Sequence, residues 1–364
     1  MADRRSTARD IAAELSVSVK TVSNAFRRPD QLSAGLRDRI LATAAARGYG
    51  GPDPVAGALR RGRVGVIGVA YANRLSYAFD DPVSRELLAG MTGAAEDEGA
   101  GLLLLPGSAE SAHRSAVMSN AVVDGLVACS LADDDPLLAT AIERGLPTVV
   151  VDQPRPPRLA ELAPGVPWIG VDDRAAADEA AEHLLSLGYR RLAVICFGLH
   201  RTPTRGMVDS GRPPEVTYAV SRDRLAGYRA AVERHRLDWA AVPVHQGTDS
   251  TPDEGEAGAL AVLGLTPRPT ALLCMSDRLA EGALRAALRL GLRVPGEVSV
   301  VGFDDAEPIA ATLGLTTVRQ PHRLKGSLAA QALLDLLSGR RPPPVRRVLP
   351  TEFMTRESTT MPPA

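Results

Sequence analysis

Residues 6–63 read STARDIAAELSVSVKTVSNAFRRPDQLSAGLRDRILATAAARGYGGPDPVAGALRRGR. Ile11 and Leu15 recur at i, i+4, as one face of a short helix requires, and Thr7 stands where an N-cap belongs. After the turn at Ser16-Val17-Ser18, Val22 and Phe26, with Ala25, repeat the spacing on a second helix that Ser18 or Ser16 can cap. Ser33 opens a third helix with Leu36, Ile40 and Ala44 inward, closing near Gly48. Three helices with so little apolar side chain leave the second with a free outer face. It carries Val19, Lys20, Thr21, Ser23 and Asn24, short polar groups and one cation suited to base edges and phosphates.

The charge balance agrees with that face. The chain as a whole carries a net charge of −1. Residues 1–63 hold 12 Lys and Arg against 6 Asp and Glu, and the remainder 30 against 37, so a basic head precedes an acidic body. Cys129, Cys196 and Cys274 each lie in an apolar run, without a Cys-x-x-Cys pair, and read as buried strand thiols. The six histidines are scattered, so no metal and no cofactor are expected. There is no apolar run of membrane-spanning length and no apolar segment behind the charged start MADRRSTARD; the cytoplasm is the default expectation.

Beyond Gly50-Gly51-Pro52-Asp53-Pro54, which cannot continue a helix, Val55–Arg61 has room for one or two helical turns. From Arg63 the texture changes. VGVIGVAYA (64–72) is a continuous apolar run, as a strand buried on both faces demands. Strand and helix patterns then alternate in two rounds, through PWIGVDD (167–173) and again to VSVVGFDD (298–305), with a last helix over 324–339 and a last strand in VRRVLPTEFMTREST. Such alternation predicts two doubly wound parallel sheets with a cleft between them at the strands' C-terminal ends. Chain crossings are expected near 170–173, near 318–322 and near 346.

Residues 7–27, with Thr21-Val22-Ser23 behind Val17-Ser18, and the Pro-x-Pro-Val-Ala-x-x-Leu-Arg segment at 52–60 resemble the DNA-binding head of the lactose/galactose repressor (LacI/GalR) family, and the similarity runs through the whole chain. The resemblance implies an N-terminal all-α helix-turn-helix head with a hinge helix, joined to an α/β two-lobed, periplasmic-binding-protein-like (type I) body. The expected divisions are a head at 1–50, a hinge at 51–62 and a body at 63–364. Within the body, the N-lobe covers 63–171 plus about 321–345 and the C-lobe 172–320 plus about 346–360. Operator DNA would meet Thr7, Ser18, Val19, Lys20, Thr21, Ser23 and Asn24 in the head. In the hinge, Leu59 matches the family's minor-groove wedge, Ala56 the small residue that allows close approach, and Arg60 completes the set; Asp53 replaces the family's usual Asn.

In the body the resemblance assigns Arg224 to ligand hydroxyls or a carboxylate, matches Asp277 to the family's ligand-binding acid, and places Asp152 and Gln320 where the cleft is often lined. Each also admits a plain reading as a cap or an ion pair. Two stretches depart from the lactose-repressor pattern. Residues 71–82 place Tyr77 and Phe79 near the cleft mouth, to stack on a sugar or to cover the core edge, and 198–220 is either a lid or a mobile loop. The reading that follows is a homodimeric repressor answering to a small-molecule effector, a sugar or sugar derivative, with a purine or nucleoside as the alternative. An enzyme is disfavoured, since Asp209-Ser210-Gly211 lacks the flanking glycines of a nucleophile motif and no phosphate loop is present. A transporter's solute-binding protein fits the body but leaves the head unexplained.

Overall fold

The computed structural model describes residues 6–52, 62–72, 74–107, 111–202, 204–209, 215–340 and 344–362. Two compact units divide at Gly65. In the first, α1 (Ala8–Glu14) begins at Thr7, whose backbone N–H and hydroxyl both donate to Asp10 at 2.8 Å. Ser16 turns the chain with φ +53°, and Ser18 caps α2 (Val19–Arg27) by accepting from the Thr21 N–H at 3.0 Å. The third helix, α3 (Ala34–Ala46), follows Ser33. Ile11, Ala12, Val22, Ala25 and Ile40 form the small core, closed at one side by Phe26 edge-on to Tyr49. The hinge assignments Ala56, Leu59 and Arg60 lie outside the described residues.

The second unit begins with β1 (Val66–Tyr71) and runs through α4 (Leu75–Asp80), α5 (Pro82–Asp97), β2 (Gly101–Leu105), α6 (Ser111–Asn120), β3 (Gly125–Cys129), α7 (Pro136–Glu143), β4 (Thr148–Val151), α8 (Arg158–Leu162) and β5 (Trp168–Val171). The chain then enters a second lobe: α9 (Asp173–Ser186), β6 (Leu192–Cys196), β7 (Gly206–Val208), α10 (Ala219–Arg234), β8 (Val244–Gln246), α11 (Pro252–Leu263), β9 (Ala271–Cys274), α12 (Asp277–Arg289), β10 (Ser299–Val301), α13 (Ile309–Thr312) and β11 (Thr317–Arg319). It returns through α14 (His322–Ser338) and β12 (Arg346–Leu349), and ends with β13 (Glu352–Met354).

The N-lobe sheet has the order β12-β5-β4-β3-β1-β2 and is parallel throughout. The C-lobe sheet runs β10-β9-β6-β8-β7, with β7 antiparallel at its edge. Both are covered on two faces, which is why their strands read as unbroken apolar runs. Two local expectations need correction. Arg346–Leu349 pairs with β5 inside the N-lobe, and only Glu352–Met354 joins β11, so the third crossing falls at 350–351 rather than near 346. The C-terminal segment is therefore two strands of different sheets, broken at Pro350, which has no N–H for a ladder. The stretch 71–82 contains a helix, and the long loop at 198–220 carries an edge strand.

Helices α5 and α14 cross at two facing glycines. A Cβ on Gly90 would overlap the Arg323 carbonyl, and one on Gly326 the Leu87 carbonyl. This contact holds the first turn of α14 hard against the N-lobe. Gly255 and Gly282 play the same part between α11 and α12. Gly93, also on α5, is exposed with open space at its Cβ. Gly90→Ala should therefore cost about 1–3 kcal/mol by overpacking, whereas Gly93→Ala should stabilise by roughly 0.5–1 kcal/mol through helix propensity. Thermal unfolding of the two variants reads the difference; equal shifts would contradict the close crossing.

Candidate functional site

The outer face of α2 presents Val19, 43% exposed, and an exposed Lys20, followed by half-buried Thr21, Ser23 and Asn24. Their placement follows from the inward set Val22 and Ala25, which leaves the remaining positions of the helix outside. Some of the polar groups are already engaged. The Ser18 and Thr21 hydroxyls lie 2.8 Å apart, and the Asn24 amide donates to Gln31 at 3.2 Å. Thr7 is exposed but its hydroxyl serves the α1 cap. Of the five residues on the α2 face, Val19 and Lys20 are the exposed ones.

In the second unit, charged side chains converge where the two lobes meet, at the C-terminal ends of strands and the first turns of helices. Asp152 follows β4, Asp173 opens α9, Asp304 follows β10, and Gln320 lies between β11 and α14. The side chains form a continuous relay. The Lys325 Nζ donates to Asp152 Oδ1 at 2.7 Å and to Gln320 Oε1 at 3.1 Å. The Gln320 Nε2 donates to Asp304 Oδ1 at 2.8 Å, and the Arg224 Nη2 stands 3.9 Å from that same oxygen. Arg224 Nε donates to Asp173 Oδ1 at 2.8 Å, while Arg155 pairs with Asp173 Oδ2 and reaches Asp223 at 2.9 Å. Since Asp152, Arg155 and Lys325 belong to the N-lobe and Arg224 and Asp304 to the C-lobe, the relay crosses the cleft and returns.

The electrostatics follow from burial. Burial drives the Asp304 carboxyl well above its ordinary range, with Arg224 opposing the rise. Burial also raises Asp173, but Arg224, Arg155 and Lys325 together outweigh it and leave it below the usual carboxylate value. His322, whose Nε2 lies 3.3 Å from the Asp304 carbonyl, is held well below its ordinary value by burial and by Lys325. Asp152 and Asp304 both sit at positive φ, +64° and +120°, where a side-chain-bearing residue is strained. Such strain gathers at binding sites because the surroundings must over-determine the conformation. A groove of about 380 Å³ borders the relay, with Gln320 and His322 among its lining residues and Glu86, Arg319 and Arg323 farther along its wall.

Three of the six cleft residues read from the sequence, Asp152, Arg224 and Gln320, belong to this relay. Arg224 is less free than a gripping group would be. Its guanidinium also donates to the Met275 carbonyl and lies 3.6 Å from the Phe303 ring centre, which leaves its Nη2 side toward Asp304 for a ligand. Tyr77 stands at the lobe junction, its hydroxyl donating to the Ser250 carbonyl at 3.5 Å with Arg278 over the ring. Phe79 is 58% exposed and outside the relay.

Asp277 does not fit a ligand-gripping role. It is fully buried, and both of its oxygens are taken inside the C-lobe, by the Ala306 N–H at 2.7 Å and the Thr317 hydroxyl at 2.6 Å. Burial pushes its carboxyl up to about 7, as for a group that ties β11 and the loop after β10 to α12. The residues missed in the sequence are Asp173, Asp223, Asp304, Arg155 and Lys325. Asp304 had a usable signal, since it ends the apolar run VSVVGF as Asp152 ends PTVVV. Among the described residues no cluster of His, Cys, Asp and Glu is placed to hold a metal ion, and no helix is long and apolar enough to cross a membrane.

Residues 181–359 match the model of the periplasmic binding protein-like domain. The HTH-type transcriptional regulator Rv3575c of Mycobacterium tuberculosis is 43% identical over 99% of this chain and 98% of its own. Among solved structures, the lac repressor dimer bound to operator and an anti-inducer superposes with a TM-score of 0.75 at 25% identity, covering 98% of this chain and 100% of that one. The transcriptional regulator CelR in complex with cellobiose gives 0.67 at 28% identity, over 97% and 100% of the two chains. With head, two-lobed body and full-length similarity in agreement, the chain belongs to the LacI/GalR family of HTH-type transcriptional regulators.

Proposed function

We propose that this regulator is a repressor that binds a near-palindromic operator as a homodimer, one head per half-site, under the control of a small uncharged sugar or sugar derivative in the interlobe cleft. The observation that carries the effector class is the relay itself. Three carboxylates, Asp152, Asp173 and Asp223, face three cations, Lys325, Arg155 and Arg224, while burial drives Asp304 toward its neutral form, so a bound anion would find no surplus positive charge. Paired carboxylates and a guanidinium edge suit vicinal hydroxyls, which both donate and accept. A purine would want a bare aromatic slot, but the rings at hand already carry cations: Arg224 lies over Phe303, Arg155 over Trp168 and Arg278 over Tyr77. The solved relatives lend support, one on operator DNA and one holding cellobiose.

For the DNA side, Val19, Lys20, Thr21, Ser23 and Asn24 form the reading surface, with Thr7 and Ser18 at the helix starts nearest phosphate. Ala56, Leu59 and Arg60 extend the contact in the hinge on the strength of the sequence. A second copy could cover exposed apolar side chains of the C-lobe, among them Leu288, which is 80% exposed. Ligand binding that favours one arrangement of the lobes then shifts operator affinity by its differential binding to the two states.

Three measurements follow. Thermal unfolding against neutral sugars and polyols, sugar phosphates, nucleosides and purines should show a shift with a neutral sugar or polyol; a ligand at a hundred times its dissociation constant adds about 2.7 kcal/mol, and a response confined to nucleosides or purines would contradict the effector class. With that ligand, Arg224→Lys should weaken binding by at least about tenfold through loss of the guanidinium fork. Asp277→Asn should leave ligand affinity within a few-fold in the folded protein, and the reverse ranking would return Asp277 to the site. On the DNA side, Lys20→Ala should weaken an operator selected by the full chain and alter its preference among base variants. A uniform loss across the variants would limit Lys20 to phosphate.

A further inference from the structure

Lys325 is one of only two lysines in the chain and lies in the first turn of α14, in the run His322-Arg323-Leu324-Lys325-Gly326-Ser327. It is 1% exposed, which for a lysine demands a partner. Its position is set from two sides. Gly326 packs on the Leu87 backbone and fixes the first turn of α14, and the ammonium reaches Asp152 and Gln320 at 2.7 and 3.1 Å. Two of its three donors are therefore used. Within the pair, Asp152 is the outward member, with 17% of its side chain exposed against 2% for Lys325. The carboxylate is thus the more accessible of the two charges, and Gln320, which shares the ammonium, lines the groove. A cation in the first turn also opposes the helix dipole, so nothing in α14 itself favours Lys325 there.

We propose that Lys325 is the specificity-determining residue of the cleft: by neutralising Asp152 and locking Gln320 it presents a charge-paired acceptor to neutral hydroxyls and makes the site reject anionic sugars. This deepens the proposed function and rests on its reading of the cleft as the effector site. Were Asp152 uncharged, the buried ammonium would lack its counter-ion in a medium that solvates charge poorly, and an anion entering the cleft would supply it. Were Lys325 uncharged, Asp152 would be the unpaired group and Gln320 would lose the donor that orients its carbonyl.

The test compares the full chain with Asp152→Asn, Lys325→Met and the double variant. Melting is followed at constant ionic strength in inorganic phosphate, ribose 5-phosphate and ribose. The unaltered chain should gain nothing from either phosphate beyond a chloride control. Asp152→Asn should gain stabilisation by phosphate and ribose 5-phosphate, with apparent affinity at least about tenfold above the unaltered chain, and the double variant should lose that gain. A merely structural pair would lower the melting temperature of both single variants without creating an anion response, so an Asp152→Asn protein indifferent to phosphate overturns the proposal. Should the variants fail to fold, the unaltered chain still decides: tighter binding of ribose 5-phosphate than of ribose contradicts it. A response of the unaltered chain to nucleosides alone would instead contradict the sugar reading, while the phosphate response of Asp152→Asn continues to measure the role of Lys325.

Discussion

Asp173 is almost fully buried, yet it stays ionised, because a guanidinium approaches each of its oxygens: Arg224 from within the C-lobe and Arg155 from the N-lobe. Taking these charges out of water is costly, and the gain from pairing recovers that cost only when every partner is present. Losing one arm of such a cluster typically costs about 3–5 kcal/mol, because the remaining charge is stranded. The lobes are therefore joined by an arrangement that is stable as a set and poor in any partial form. In the proposed function this junction is the two-state element, and a ligand inserting among the same groups would bias it.

The fold delivers these groups by local rules. Strand ends carry the acids: Asp152 after β4 and Asp304 after β10, each at positive φ. Helix starts carry others, with Asp173 and Asp277 at first-turn positions where an N-terminal dipole favours a carboxylate. Lys325 is the exception, a cation at a helix start, and Asp152 compensates it. Secondary ties across the junction bring the lobes together around the relay. Arg222 pairs with Asp133 at 3.0 Å, and the Gln153 side-chain carbonyl accepts from the Val220 N–H at 2.8 Å.

Much of this was legible in the chain itself. Thr7 and Ser18 mark helix starts of the head because capping is a local interaction, and the body's strands declare themselves by apolar runs that only doubly covered sheets produce. The short α4 and edge strand β7 were not legible, being too brief to show a period. The last two strands looked like one because both are short and mixed, and Pro350 was the available signal. Asp277 shows the limit of strand-end reasoning. A carboxylate after an apolar strand is equally suited to a ligand or to distant backbone, and only the fold brings Ala306 and Thr317 onto it. Lys325 was visible as a rare lysine in an apolar helix, but its partner Asp152 lies 173 positions away, beyond any spacing rule.

In the proposed function, one ligand in the interlobe cleft and DNA on the head are linked through the same chain. The direct measurement is the affinity of the full chain for a palindromic DNA selected by it, titrated by fluorescence anisotropy with and without the neutral sugar that most raises its melting temperature. The account predicts a change in operator affinity of about 5–150-fold, matched by an equal change in sugar affinity when DNA is saturating, since coupling of two binding free energies is reciprocal. An operator affinity that is the same in both conditions, at saturating sugar, would contradict it.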